Sequence, residues 1–186
     1  GILSPVHLTG KGDKPDPGFG HYAKLQTLQD LPSEDILLVP FVNAAFWMIP
    51  IHVLQRVGGF CPLFYHYGED KDFVNRLHYH QYQVGYSPQV FGNHDREYRP
   101  STHEGFLRTE SVYHLSEYVN INHPCLKAFG YGVLAVMKKA LASLISGKFQ
   151  LSKDYLRMGF QLLSRSTEIQ SYRKINRLSQ PHYIQK

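Results

Sequence analysis

The hydrophobic pattern of this chain changes period once, near Pro124, and that change limits the folds open to it. Before Pro124 the apolar residues fall in short runs bounded by Gly and Pro. Ile2 to Leu8 reads as a short strand, and Ile36 to Phe41 as a buried strand between turn signals. Ala44 to Ile49 is a further apolar run. Gly10 to Gly20, with Pro15 and Pro17, reads as a loop. A short helix is predicted from His52 to Val57, stopped by Gly58-Gly59, and the best helix of this part runs from Glu69 to about His80. Gln83 to Tyr86 and Gln89 to Phe91 read as short strands around Pro88. After Pro124 the spacing becomes helical: Leu126, Phe129, Val133, Met137, Leu141, Leu144 and Ile145 share one face, and Gly147 suits the end of that helix. A second helix is predicted from Ser152, as N-cap, to about Leu163. The expected organisation is an α/β body over residues 1–124, followed by a helical region over residues 125–186.

Composition adds few constraints. The chain has 186 residues, enough for one domain, and 42% are hydrophobic, enough for a core. Cys61 and Cys125 are its two cysteines and make no disulfide framework, which points to a reducing compartment. A charged segment followed by an apolar one is absent at the start, so no signal peptide is expected. No unbroken run of about 18 apolar residues occurs, so no membrane-spanning helix is expected. The chain enters a strand-like run almost at once, which suggests part of a larger protein. Charge is uneven. Residues 138–186 carry ten Lys and Arg against Asp154 and Glu168, while acids outnumber bases by three in the remainder. A basic end behind a mildly acidic body suggests an anionic surface, lipid or nucleic acid, as partner. Nucleic acid is the weaker expectation, because no recognisable binding module accompanies the charge.

The helix opening at Tyr67-Gly68-Glu69-Asp70-Lys71-Asp72 carries the most chemistry. Residues three, four and seven apart share a face, so Phe73, Val74 and Leu77 lie beneath Asp70. Glu69, Asp72 and Arg76 gather on another face, with Asp72 and Arg76 spaced for an i,i+4 ion pair. Acids at a helix start are stabilised by its dipole, and a surface Arg would pair with Asp72. Asp70 is different, because a carboxylate on the inward face is costly unless paired or hydrated. It either caps the helix through backbone amides or faces a wet pocket, where it can take a proton from a hydroxyl. His78 and His80, two residues apart on a helix, diverge and make no metal pair.

Several landmarks occur in one order: Asn43-Ala44-Ala45-Phe46-Trp47-Met48-Ile49-Pro50, Val57-Gly58-Gly59-Phe60, Tyr67 to Phe73 with Glu69-Asp70, Arg76-Leu77, Pro88 and His94. Together, over Gly1 to about Arg99, they resemble the second half of family-2 inverting glycosyltransferases of the GT-A fold, such as bacterial rhamnosyltransferase-like enzymes. The resemblance implies the second half of a Rossmann-like, nucleotide-diphospho-sugar transferase domain (residues 1–124, the acceptor side), followed by C-terminal amphipathic helices. It implies Asp70 as catalytic base and Glu69 as a residue that helps hold the acceptor. Asn43, Ala44 and Trp47 match the segment bordering the sugar and acceptor pocket, where Trp47 either stacks on a sugar or fills the core. His94, six residues after Pro88, is implied as a ligand of Mn²⁺ or Mg²⁺ on the donor diphosphate, with Asp95 able to supplement or replace it. The family pattern is broken by Cys61, by Gln81 and by Asp95-Arg96-Glu97-Tyr98.

The family's first half holds the nucleotide and the Asp-x-Asp metal motif. No such region precedes residue 36, and Asp13 and Asp16 lie in a loop at the wrong spacing. The isolated chain is therefore expected to have little or no activity. The implied partners are a nucleotide-sugar donor and a saccharide or lipid-linked acceptor used in cell-surface polysaccharide synthesis. The implied location is cytoplasmic, peripheral on the inner face of the plasma membrane if the basic helices lie there; packing against the body or a subunit is their other reading. A non-catalytic sugar-binding or docking module derived from such an enzyme is the alternative function.

Overall fold

The computed structural model describes residues 1–65, 67–95 and 102–184. They form a mixed α/β structure. Strand β1 (Ile2–Leu8) lies where the sequence predicts it and pairs in parallel with β3 (Val84–Asn93). The register runs from Ile2–Val84 to Pro5–Ser87 and resumes at Val6–Phe91, so Pro88, Gln89 and Val90 are looped out. Pro88 has no N–H to give the ladder, which accounts for a bulge at this point. The two short strands expected around it are thus one interrupted strand.

The buried strand expected from Ile36 to Phe41 is reduced to β2 (Leu37–Leu38), antiparallel to β3 at the sheet edge. Ile36 and Leu38 are exposed. Val39 N–H still reaches Val84 O, and Pro40 then offers no donor to continue. Residues 17–20 of the expected loop are also helical. Helix α1 (Pro17–Ala23) starts from Asp16, whose Oδ1 accepts from Gly18 N and Phe19 N, with Pro17 at the first position.

Helix α2 (Ile51–Val57) ends as predicted at Gly58, which has φ 83°. Helix α3 (Glu69–Tyr79) buries Phe73, Val74 and Leu77, the face its spacing foretells. With Ile2, Val6, Val53 and Val57 they form the sheet-side core. Asp72 and Arg76 do pair, Nε to Oδ2 at 2.8 Å, but both are buried, not at the surface. Arg76 also donates to Val57 O and Gly59 O, so it ties α3 to the turn after α2.

Helices α4 (His103–Val119), α5 (Cys125–Phe129), α6 (Ala135–Ile145), α7 (Phe149–Ser164) and α8 (Ser166–Asn176) build a second core around Leu115, Val119, Val133, Val136, Met158 and Ile169. This core also receives Cys61, Leu63 and Phe64, which precede α3. A π-helical turn, Gly130–Leu134, joins α5 to α6. Helix α7 begins at Phe149, ahead of the expected Ser152. Ser152 Oγ instead donates across to Ala140 O, 2.8 Å away and buried. Arg173 on α8 is buried and donates to Tyr118 O, Asn120 O and His123 O, satisfying carbonyls where α4 ends.

The run Cys125–Ile145 is continuous over 21 residues, with a mean hydropathy of 1.4 in its most apolar window. Among the described residues it alone is long and apolar enough to cross a membrane, by length and composition. Lys127, Lys138 and Lys139 interrupt it, so the sequence there has no unbroken apolar run. Its inner side, at Ala128, Val133, Val136 and Ala140, is packed in the helical core.

The described chain ends by returning to the sheet side. Gly59 N–H donates to His182 O at 2.7 Å, and the Tyr183 ring lies 5.7 Å from the Arg76 guanidinium. Tyr183 hydroxyl donates to Asn176 Oδ1 at 2.7 Å.

Candidate active-site cleft

A cleft of about 1040 Å³ opens beside the start of α3. Tyr67, Gly68, Asp70 and Lys71 line it from that helix and the turn before it, and His94 and Asp95 from the end of β3. Phe41, Asn43 and Tyr22 contribute from the loops and α1. The opposite wall is α4, through Thr109, Val112, Tyr113 and Ser116.

The backbone aims α3 by an unusual turn. Tyr67 has φ 70° and Gly68 φ 88°. Left-handed backbone costs a non-glycine residue about 1 kcal/mol or more, so the surrounding contacts must hold Tyr67 there. A Cβ on Gly68 would lie 2.6 Å from Val112 Cγ1 and 2.9 Å from Phe64 Cδ1, which leaves no room for a side chain between α3 and α4.

Asp70 is half-buried and lines the cleft. Its Oδ1 accepts from Lys71 N at 2.7 Å. Burial raises its carboxyl pKa, the Lys71 backbone amide opposes this, Glu69 raises it further, and the Ala44 amide lowers it; the net direction is upward. A carboxylate so placed is open to a hydroxyl in the cleft and accepts a proton more readily than an ordinary Asp.

The other residues singled out by sequence fall in three groups. Asn43 and His94 share the cleft with Asp70, and so does Asp95. Ala44 is exposed and acts on Asp70 through its backbone amide. Glu69 and Trp47 do not line the cleft. Glu69 has a buried Oε2 with no hydrogen-bond partner and acts on Asp70 through its charge. Trp47 packs against the sheet-side core, 5.5 Å from the Phe73 ring and 6.1 Å from Phe60. It also borders a separate, mostly apolar cavity of about 280 Å³ with Leu3, Phe46, Met48 and Val90. Residues 96–98, where the family pattern breaks, lie outside the described residues.

His94 is positioned by its surroundings. Its backbone N–H donates to Leu8 O at 2.8 Å, and its ring Nδ1 lies 3.9 Å from Asp16 Oδ2. Asp16 thus uses one carboxylate oxygen to start α1 and turns the other toward His94. Sequence reading set Asp16 aside; its Asp-Pro-Gly context signals an N-cap, but not the ring it meets across the fold. Gly10 packs so closely on Asp95 that a Cβ there would lie 2.3 Å from its Oδ1. Imidazole nitrogen and carboxylate oxygen together suit a borderline or hard divalent cation, so the donor types fit Mn²⁺ or Mg²⁺. Among the described residues no group of three or more His, Cys, Asp or Glu converges. Any such ion would therefore need further ligands from substrate or from another segment.

Sequence reading also missed the α4 wall. Lys71 Nζ pairs with Glu117 Oε1 at 3.0 Å and sits 4.6 Å above the Tyr113 ring. These contacts fix a cation and an aromatic face on the cleft. Their partners are over forty residues apart in sequence, which leaves no local signal. Comparison of the chain with protein-family models, curated proteins and solved structures found no match.

Proposed function

We propose that this chain is the acceptor-side half of an inverting, metal-dependent glycosyltransferase of the GT-A type. The single observation that carries the reading is Asp70. Its carboxylate stands at the head of α3, on a cleft large enough for a sugar, with its proton affinity raised by burial. Asn43, His94 and Asp95 border the same cleft. Asp70, Asn43 and His94 are among the residues through which the sequence resembles that family, and Asp95 stands where the family pattern breaks.

In this reading Asp70 takes the proton of an acceptor hydroxyl. The freed oxygen pair forms a bond to the anomeric carbon, the bond from that carbon to the diphosphate oxygen breaks, and the nucleoside diphosphate leaves with that electron pair. Attack opposite to the leaving group inverts the centre. Tyr67, Tyr113 and Tyr22 offer flat faces and hydroxyls suited to holding a saccharide. His94 and Asp95 would hold Mn²⁺ or Mg²⁺, which when bound offsets the charge of the departing diphosphate. Asp16 Oδ2, 3.9 Å from His94 Nδ1, would add a negative charge beside the ring. The nucleotide itself would be held by a first half supplied outside these residues, so this chain alone is expected to transfer sugar poorly.

The test is transfer from a panel of nucleotide sugars with Mn²⁺ by the full-length enzyme, wild type against Asp70→Asn. The expected result is loss of transfer by about 10³-fold or more, with donor binding unchanged. Normal transfer by the variant would remove Asp70 as base. Saccharide binding with no transfer by the wild type would favour a non-catalytic sugar-binding module.

A further inference from the structure

Helices α6 and α7 form an antiparallel pair, since Ala140 meets Ser152 and Val136 meets Gly159. Their facing sides are buried. Their outer sides are not, and both repeat the same apolar spacing of seven then four: Leu134 at the end of the π-helical turn with Leu141 and Ile145 on α6, then Phe149, Leu156 and Phe160 on α7, all exposed. The stripes meet at the turn, where Ile145 is 78% and Phe149 63% exposed. Large apolar side chains concentrated at a helix turn mark a contact surface.

Charge identifies what covers it. From Tyr118 through Lys153 the chain has no Asp or Glu and five lysines. Lys138, Lys148 and Lys153 are exposed on α6, at the turn and on α7, and Arg157 follows on α7. Lysine stems can lie along apolar surface while their ammonium groups reach outward, the arrangement found at membrane interfaces. We infer that the α6–α7 turn docks on an anionic lipid bilayer, inserting Ile145 and Phe149 below the headgroups while the surrounding lysines meet lipid phosphates.

The run Cys125–Ile145 would then lie on the membrane and not cross it. Its inner face is committed to the helical core, and Lys138 and Lys139 would otherwise sit within the hydrocarbon. The docking residues are separate from those of the cleft, so either reading can fail without the other.

The test is flotation of the chain with phosphatidylglycerol-containing vesicles and with pure phosphatidylcholine vesicles, over a range of salt. Wild type should bind the anionic vesicles, and added salt should weaken that binding. Ile145→Ser with Phe149→Ser should weaken it about tenfold or more, with an unchanged Tm because both side chains are exposed. Replacing Lys138, Lys148 and Lys153 by Gln should weaken binding and flatten the salt dependence. No binding to anionic vesicles at low salt would overturn the inference, as would equal binding to neutral ones. Self-association abolished by the same serine pair would assign the face to a second copy of the chain instead.

Discussion

At the scale of single residues, two carboxylates two positions apart on α3, on different faces, have opposite duties. Asp70 must be ionised to act as a base, and burial, then Glu69, raises its pKa above the ordinary value. As pH falls, the basic form is therefore lost sooner than for an exposed Asp. The acid limb of kcat/KM for the full-length enzyme should inflect at higher pH than an exposed Asp would give, and Glu69→Gln should move it to lower pH. An acid limb that Glu69→Gln leaves in place would count against the assignment. Stability runs the other way. A carboxyl whose folded pKa is raised contributes most below its unfolded pKa, and that contribution is lost as pH rises past it. At neutral pH Asp70→Asn should thus raise Tm while lowering activity, a readout that an ordinary structural Asp would not give. Asp72 is the contrast. It holds the buried Arg76, so Asp72→Asn leaves a guanidinium unpaired and should cost about 3–5 kcal/mol in urea unfolding.

At the scale of elements, α3 and its approach decide whether Asp70 faces the cleft. Gly68→Ala would force a Cβ into Val112 and Phe64 at a positive φ. A loss of roughly 1–2 kcal/mol in stability is expected, together with a fall in kcat, because α3 must shift from α4. Thermal unfolding and steady-state kinetics check the two effects. The apolar face of α3 and the stop of α2 at Gly58-Gly59 were legible in the sequence, because each depends on spacing or on one glycine. What was not legible depends on distant partners. Helix α4 mixes polar and apolar residues around its circumference, and Leu115, Tyr118 and Val119 are buried only because α5 to α8 cover them. Ser152 looks like an N-cap until Ala140 O is placed opposite it. The Ile36–Phe41 run reads as a core strand, yet it lies at an edge where few side chains meet it. Asn43, Asp70 and His94 were found through resemblance and spacing; Asp16, Lys71 and Tyr113 needed the fold to bring them in.

At the scale of the whole molecule, the two cores are interleaved. Cys61, Leu63 and Phe64 leave the sheet side to fill the helical core, and Tyr183 returns from beyond α8 to Arg76. Unfolding should therefore be one cooperative transition, with near- and far-ultraviolet circular dichroism tracing the same curve. Tyr183→Ala should destabilise by about 2 kcal/mol and increase hydrogen exchange at the Gly59 amide, more than a hundred residues away in sequence. The same arrangement sorts the two thiols. Cys61 is sealed inside the helical core and pushed by burial to a pKa of about 12, whereas Cys125 stands exposed at the start of α5. A maleimide dye should consequently react at Cys125 and spare Cys61, giving the native chain one fluorescent reporter without mutagenesis.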